Sequence, residues 1–160
     1  MEINFLAIFV AAASALVIGF IWYNPKVFGT AWLRAAEMTE EKMKGASMGK
    51  IFGLALIFAF LLALAMQMLT IHQIGAMGMI GGDLEAAKPS FEAFMNDYGT
   101  AYRTFKHGAL HGAMSGVFIA LPIIGTNALF ERKGAKYIFI NSGYWIVTMA
   151  VMGAIVCGWV

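Results

Sequence analysis

The chain has few charged residues. Only 12% of its 160 residues are Asp, Glu, Lys or Arg, about half the ~25% that is typical of soluble domains. Because 61% of the residues are hydrophobic, the composition excludes a disordered chain and an ordinary soluble globule. A formal net charge of +2 is too small to indicate a nucleic acid as partner. We therefore predict an integral membrane protein whose partner is the lipid bilayer.

The chain also lacks the motifs of familiar catalytic and redox sites. Its single cysteine, Cys157, excludes an internal disulfide and any CxxC metal site. It contains no GxSxG nucleophile elbow and no phosphate-binding loop. No nucleophile–base pair is visible, so the sequence favours a protein that is not an enzyme. We expect no cofactor, with a transition metal as the one candidate considered below.

Four stretches contain no Asp, Glu, Lys or Arg, namely residues 3–23, 51–75, 107–130 and 137–160. Each is long enough to cross ~30 Å of hydrocarbon, which takes about 20 helical residues. The sequence therefore predicts one all-α domain over residues 1–160, an integral membrane four-helix bundle. Helical spacing of apolar residues in the first two connecting loops predicts short interfacial amphipathic helices there. A signal peptide is the alternative for the first stretch, but its long apolar core argues against cleavage.

The basic residues predict the orientation in the membrane. Eight of the 11 Lys and Arg residues lie in the first and third loops, and the acidic second loop holds the other three. Since cytoplasmic loops carry an excess of Lys and Arg, loops one and three are expected in the cytoplasm. Both termini and loop two then face outside, most simply across a bacterial inner membrane.

Small residues recur every fourth position in the third stretch, at Gly108, Gly112, Gly116 and Ala120. Membrane helices associate through close packing, which small residues permit. The pattern therefore predicts that the third stretch is the central helix or the seam of a dimer or small oligomer.

One group of polar residues is expected at the outer end of the bundle. His107 and His111 are four residues apart and share a helix face, with Arg103 one turn before them. An up-down topology places His72 at the same height. Three imidazoles suit a transition metal, so His72, His107 and His111 are candidate ligands. The alternatives are hydrogen bonds between helices, a proton relay, or an anionic ligand held beside Arg103.

A second group is expected at the inner end of the helices, comprising Asn24, Asn127, Glu131, Asn141 and Tyr144. One interpretation is a polar clamp that fixes the helix ends together. In this clamp Glu131 is neutralised by a basic residue of the third loop, namely Arg132, Lys133 or Lys136. The alternative is a gate or a site for lipid headgroups.

Several motifs together resemble a bacterial and fungal membrane-protein family of unknown function, numbered 1761. The first half contributes Trp22-Tyr23-Asn24-Pro25, Phe28-Gly29, Trp32 and Thr39-Glu40-Glu41. The second half contributes His111-Gly112, Phe130-Glu131-Arg132, Asn141, Gly143-Tyr144 and Gly153-Ala154-Ile155. The resemblance implies a short four-helix protein without an assigned reaction, and marks His111, Glu131 and Asn141 for testing.

Two functions remain open at this point. The first is a homo-oligomeric protein that binds or passes a small polar ligand or metal between its helices. The second is a non-catalytic accessory subunit or assembly factor of a larger membrane complex.

Overall fold

The computed structural model describes residues 3–160, which are 78% helical and contain no strand. This confirms the all-α prediction. In chain order the helices are α1 (Phe5–Trp22), α2 (Thr30–Ala35), α3 (Glu40–Met43), α4 (Met48–Thr70), α5 (His72–Met79), α6 (Pro89–Tyr98), α7 (Phe105–Ser115), α8 (Leu121–Phe130) and α9 (Ala135–Gly158). Two π-helical turns, Pro25–Gly29 and Gly116–Ala120, precede α2 and α8. Within the described residues, four segments are long and apolar enough to cross a membrane: α1, α4, the run Phe105–Phe130 and α9.

The second of these helices ends earlier than the sequence predicts. In place of a helix over residues 51–75, α4 stops at Thr70 and α5 starts at His72. Ile71 between them is extended, with φ −109° and ψ 101°. Thr70 and Ile71 are both β-branched, which lowers their preference for the helix. The break sets His72 at the start of a new helix with its own direction.

The third helix is irregular at its centre. The π turn at Gly116–Ala120 comes just before Pro122. In a regular helix the proline ring would clash with the carbonyl of Phe118 and leave it without an N–H donor. Widening the preceding turn to π geometry accommodates the proline without ending the helix.

The fourth membrane-length helix, not the third, is the central one. Helix α9 packs against α1, α4, α7 and α8, and it also contacts α2. The core comes from α1, α4 and α9 and consists mainly of buried alanines and methionines: Ile8, Ala11, Ala12, Ala15, Ala59, Ala63, Met66, Met149, Met152 and Val156. The expectation that the third stretch is central is therefore wrong, because α9 presents small or flexible side chains to helices on several sides.

The glycines of the third stretch pack within the chain. A Cβ added at Gly108 would meet the carbonyl oxygen of Gly153, and one at Gly112 would meet that of Met149. A Cβ at Gly116 would lie 2.6 Å from the Cα of Ile146. The glycine face thus lets the backbones of α7 and α9 approach closely, and this chain uses it for its own packing.

Candidate functional site

The end of the bundle that is predicted to face outside, called the outer end below, brings the three histidines together; the opposite end is called the inner end. The break at Ile71 starts α5 with His72, while His107 and His111 stand one turn apart on α7. Thr104 caps α7 by accepting a hydrogen bond from the backbone N–H of His107 at 3.2 Å. The imidazole centroid of His72 lies 4.9 Å from that of His107 and 5.0 Å from that of His111. One candidate ligand nitrogen from each of the three rings lies within 4.8 Å of the other two.

One of the nitrogen–nitrogen distances is close to that of a metal centre. The Nε2 atoms of His72 and His107 are 3.0 Å apart, so one ring donates and the other accepts a hydrogen bond. In a tetrahedral zinc site with Zn–N bonds of about 2.0–2.1 Å, neighbouring nitrogens are ~3.3 Å apart. The three candidate nitrogens lie within 4.8 Å of one another, so the rings would have to move closer together to bind one ion. A set made only of imidazoles suits zinc, copper or nickel better than calcium or magnesium.

Tyr102 is a neighbour of the histidines that the sequence analysis missed. Its ring centroid lies 5.1 Å from that of His107 and 6.1 Å from that of His72. Its backbone has φ 62°, a left-handed conformation that is uncommon for a bulky residue. No periodic pattern marks a residue in a turn, so its contact with the histidines could be found only from the folded chain.

Arg103 belongs to a different cavity from the one beside His72. Its Nε donates a hydrogen bond of 2.9 Å to the carbonyl oxygen of Cys157. Arg103 lines a cavity of about 410 Å³ together with Asn4 and Gln67, whereas His72 lines a separate one. The alternative of an anionic ligand held beside Arg103 stays a prediction.

Gln73, next to His72, ties α5 to the end of α6. The residue is only 4% exposed, and its Nε2 donates hydrogen bonds of 2.8 Å to the carbonyl oxygens of both Tyr98 and Ala101. Its Oε1 is buried and has no hydrogen-bond partner within residues 3–160. A buried acceptor without a donor costs about 1–3 kcal/mol. The outer end thus contains a polar atom whose bonding capacity the described chain leaves unused.

At the inner end, Asn141 is the centre of a polar clamp. Its Oδ1 accepts hydrogen bonds from Tyr23 Oη at 3.0 Å and from Trp32 Nε1 at 3.2 Å. Its Nδ2 donates to the carbonyl oxygen of Tyr137 at 2.8 Å. Tyr144 Oη donates to the carbonyl oxygen of Ala15 at 3.0 Å. These contacts fasten the end of α1 and the first loop to α9, as the clamp interpretation expects of Asn141 and Tyr144.

Tyr23 and Trp32 are hydrogen-bonding partners of Asn141 that the sequence analysis did not identify. The aromatic residues around Asn24 are typical of an interfacial belt. In the structure Tyr23 and Trp32 are half-buried against Asn141, with their ring centroids 5.3 Å apart. A buried phenol or indole N–H needs an acceptor, which Asn141 provides.

The remaining inner residues stand outside this clamp. Asn127 and Glu131 are exposed, and the described part of the chain gives neither a side-chain hydrogen bond to Asn141 or Tyr144. The side chain of Asn24 caps the following π turn by accepting from the N–H of Lys26 at 2.9 Å.

The basic partner expected for Glu131 is used elsewhere. Lys133 forms a salt bridge of 2.9 Å with Glu37, and Glu131 forms none within residues 3–160. Arg132 has φ 57°, so the chain leaves the axis of α8 before Lys133. The hydrogen bond from Lys133 holds the pKa of the Glu37 carboxyl below its ordinary value.

The comparisons with known proteins agree with the motifs. No curated protein and no solved structure matches the chain. A family model described as "Protein of unknown function (DUF1761)" matches residues 6–157. The match covers nearly the whole chain and includes both the histidine cluster and the inner clamp. The chain therefore belongs to the DUF1761 family of proteins of unknown function.

Proposed function

We propose that this membrane protein binds one transition-metal ion at the outer end of its helix bundle, through His72, His107 and His111. The observation that supports this is the approach of one nitrogen from each ring to within 4.8 Å of the other two. His72 is 35 residues from His107 along the chain, so folding, and not local sequence, assembles the set. Zinc and copper are the metals that such a site prefers.

The histidine geometry favours a site with an open coordination position. Three protein ligands leave the fourth position of a tetrahedral ion for water or for another ligand. Binding an ion would replace the hydrogen bond between the Nε2 atoms of His72 and His107 by two metal bonds. The competing interpretation is that this bond only joins α5 to α7, which in a membrane contributes about 0.6 kcal/mol on average.

The proposal includes the side of the membrane. Following the distribution of Lys and Arg, loops one and three lie in the cytoplasm and the histidines lie near the outer face of a bacterial inner membrane. Self-association and membership of a larger complex stay predictions. The glycine face that led to the first of them packs against α9 in the same chain.

Metal titration of the purified protein tests the proposal. The chain contains only three histidines, so protein purified without a histidine tag has no competing imidazole. After chelator treatment we expect the protein in detergent to bind one Co²⁺ or Zn²⁺ per chain. We expect His107→Ala combined with His111→Ala to weaken binding by more than ~100-fold, because loss of a residue that only orients a ligand already costs about 10–100-fold.

Cys157→Ser is the matched control, since it removes the one thiol, which is buried, and leaves the histidines in place. It should bind metal as the wild type does. Equal affinity of the wild type and the double histidine variant would refute the metal site and leave the hydrogen-bonding interpretation.

A further inference from the structure

A long cavity lies beside the inner ends of α1 and α4. It has a volume of about 710 Å³ and is lined by residues of α1, α4 and α9. Along α4 the lining runs from Ile51 to Ala59, which is about 12 Å of helix at ~1.5 Å per residue. Ala59 is buried, whereas its neighbour Phe58, which also lines the cavity, is 63% exposed. The cavity therefore reaches from the packed interior to the surface of the bundle that faces the hydrocarbon.

The walls of this cavity are mostly apolar, and small residues leave the space. Helix α1 contributes Ala15 and Gly19, and α4 contributes Ala55 and Ala59. Tyr144 of α9 lies behind them, since a Cβ added at Gly19 would be 3.5 Å from its ring. An empty recess loses the dispersion contacts of its lining, and apolar walls offer water few partners. In a bilayer, an acyl chain is the material at hand to fill it.

Polar and basic groups stand at the inner end of the cavity, where Asn24 and Pro25 line it. The Oδ1 of Asn24 accepts from the backbone N–H of Lys26, and its Nδ2 has no hydrogen-bond partner within residues 3–160. Lys26 follows Pro25 in the chain and Lys50 precedes Ile51, and both lysines are exposed. Neither lysine forms a salt bridge in the described part of the chain.

We infer that this cavity binds one anionic phospholipid, with an acyl chain in its apolar part and the phosphate beside Lys26 and Lys50. The occupant is a lipid of the surrounding bilayer, whose chain contacts the walls and whose charge complements the lysines. The inference goes beyond the metal site, which lies at the other end of the bundle, and neither depends on the other.

The charges around the cavity favour an anionic headgroup. Residues 24–51 contain five Lys or Arg and three Glu, and one of these glutamates, Glu37, is already paired with Lys133. Lysine extends its ammonium group to the interface while its stem covers apolar surface, so Lys26 and Lys50 can both reach a phosphate at this level. Basic groups beside membrane helices on the cytoplasmic side are typical of sites for anionic lipid headgroups. A zwitterionic lipid brings a cation together with its phosphate and gains less from the lysines.

Native mass spectrometry of the full chain in a non-ionic detergent tests the inference. Phosphatidylglycerol and phosphatidylcholine with the same acyl chains are titrated into delipidated protein, and the fraction of chains that carry one lipid gives each Kd. A lysine near a membrane surface favours an anionic lipid by about fivefold, so two lysines predict that phosphatidylglycerol binds about 30-fold more tightly than phosphatidylcholine. Glycerol 3-phosphate, which has the charge but no chain, should not displace the lipid.

One pair of variants tests the position of the acyl chain. Ala55→Trp fills the cavity from α4 and should weaken the binding of both lipids by more than about tenfold. Leu61→Trp is the matched control, because Leu61 is exposed on the same helix and does not line the cavity. It should bind both lipids as the wild type does.

Two double variants test the position of the headgroup. Lys26→Gln combined with Lys50→Gln should reduce the preference for phosphatidylglycerol to less than about threefold. Lys88→Gln combined with Lys106→Gln removes the same charge from exposed positions of loop two and should retain the preference.

The outcomes separate this inference from its rivals. Equal Kd values for the two lipids, or a preference that both double variants lower equally, overturn it. Equal lipid binding by Ala55→Trp and Leu61→Trp also overturns it, as does a wild-type dimer that Ala55→Trp dissociates without loss of lipid, which would make a second copy the occupant. If Ala55→Trp does not fold, the lysine variants still decide the matter. A wild type that binds Co²⁺ but shows no preference for phosphatidylglycerol refutes the lipid site alone, and the reverse result refutes the metal site alone.

Discussion

Replacing Gly112 by alanine tests the packing of α7 against α9. A Cβ at this position would meet the carbonyl oxygen of Met149, and it would lie 2.7 Å from the carbonyl carbon of Met149 and 2.9 Å from the Cα of Ala150. All three are backbone atoms, so no side-chain rotation can relieve the contact. The two helices must separate or rotate, and the contacts along their shared face are weakened.

The size of the effect follows from two opposing terms. Alanine in place of glycine inside a helix stabilises the chain by roughly 0.5–1 kcal/mol. Forcing an additional methyl group into a packed interior costs about 1–3 kcal/mol, and contact with rigid backbone belongs at the upper end of that range. We therefore expect Gly112→Ala to lower the free energy of unfolding by about 2–2.5 kcal/mol.

Gly125→Ala, on α8 of the same membrane-length run Phe105–Phe130, is the matched control. Its added Cβ would have Ile138 Cγ2 at 3.8 Å as its nearest neighbour, which is an ordinary contact. Only the helix preference then acts, so this variant should be as stable as the wild type or more stable by up to ~1 kcal/mol. Both variants are compared by equilibrium unfolding in mixed detergent micelles.

Gel filtration with light scattering adds a second readout. If the glycine face packs within the chain, Gly112→Ala destabilises the protein without changing its oligomeric state. Equal stability of the two alanine variants would refute the close approach of α7 and α9. A change of oligomeric state at unchanged stability would support a seam between copies instead.

Three further predictions concern the inner end and the orientation. Asn141→Ala should lower the free energy of unfolding by about 1–2 kcal/mol, whereas Asn127→Ala, at an exposed position, should leave it unchanged. A double-mutant cycle of Asn141→Ala with Tyr23→Phe should give a coupling energy near ~0.6 kcal/mol. Zero coupling would contradict the hydrogen bond between Tyr23 and Asn141. Because the pKa of Glu37 is lowered, its salt bridge with Lys133 stabilises the fold at pH values above the ordinary carboxyl pKa of 4.5. This contribution disappears as the pH falls through the lowered pKa. The difference in Tm between the wild type and Glu37→Gln should therefore vanish in acid and shrink in high salt, and a difference that grows in acid would contradict the sign. In a Cys157→Ser background, a cysteine at Asp83 should react with an impermeant maleimide on intact cells and one at Lys42 should not; the reverse pattern would invert the proposed orientation.

The membrane-length helices could be predicted from the sequence because a segment that crosses a bilayer must contain almost no charged residues. A charge inside the hydrocarbon is costly, so the chain segments between charge clusters give the spans to within a few residues, except at Ile71. The glycine pattern gave the face on which α7 packs closely. It could not show that α9 receives that face, because a stripe of small residues identifies a surface and not its partner.

The polar sites also contain some features that could be predicted from the sequence and others that could not. The common height of His72, His107 and His111 follows from the up-down connection of helices and was predictable. The participation of Tyr102 and Gln73 was not, because both depend on how loop two folds back over α5. The partner of Glu37 was also hidden, since Lys133 reaches it across 96 residues of chain, and only the folded loops bring the two together.

The two ends of the bundle differ in the kind of polar side chains that they bring together. At the inner end, Asn141 accepts two hydrogen bonds and donates one, and Tyr144 donates to the backbone of α1. These hydrogen bonds give both Asn141 and Tyr144 a structural role. At the outer end, three imidazoles share one nitrogen–nitrogen contact, and Gln73 Oε1 has no partner in the described chain. Ser142 Oγ beside Asn141 is also buried without a partner in the described residues, so unused hydrogen-bonding capacity does not separate the two ends; the stronger indication of a ligand at the outer end is the approach of three imidazole nitrogens.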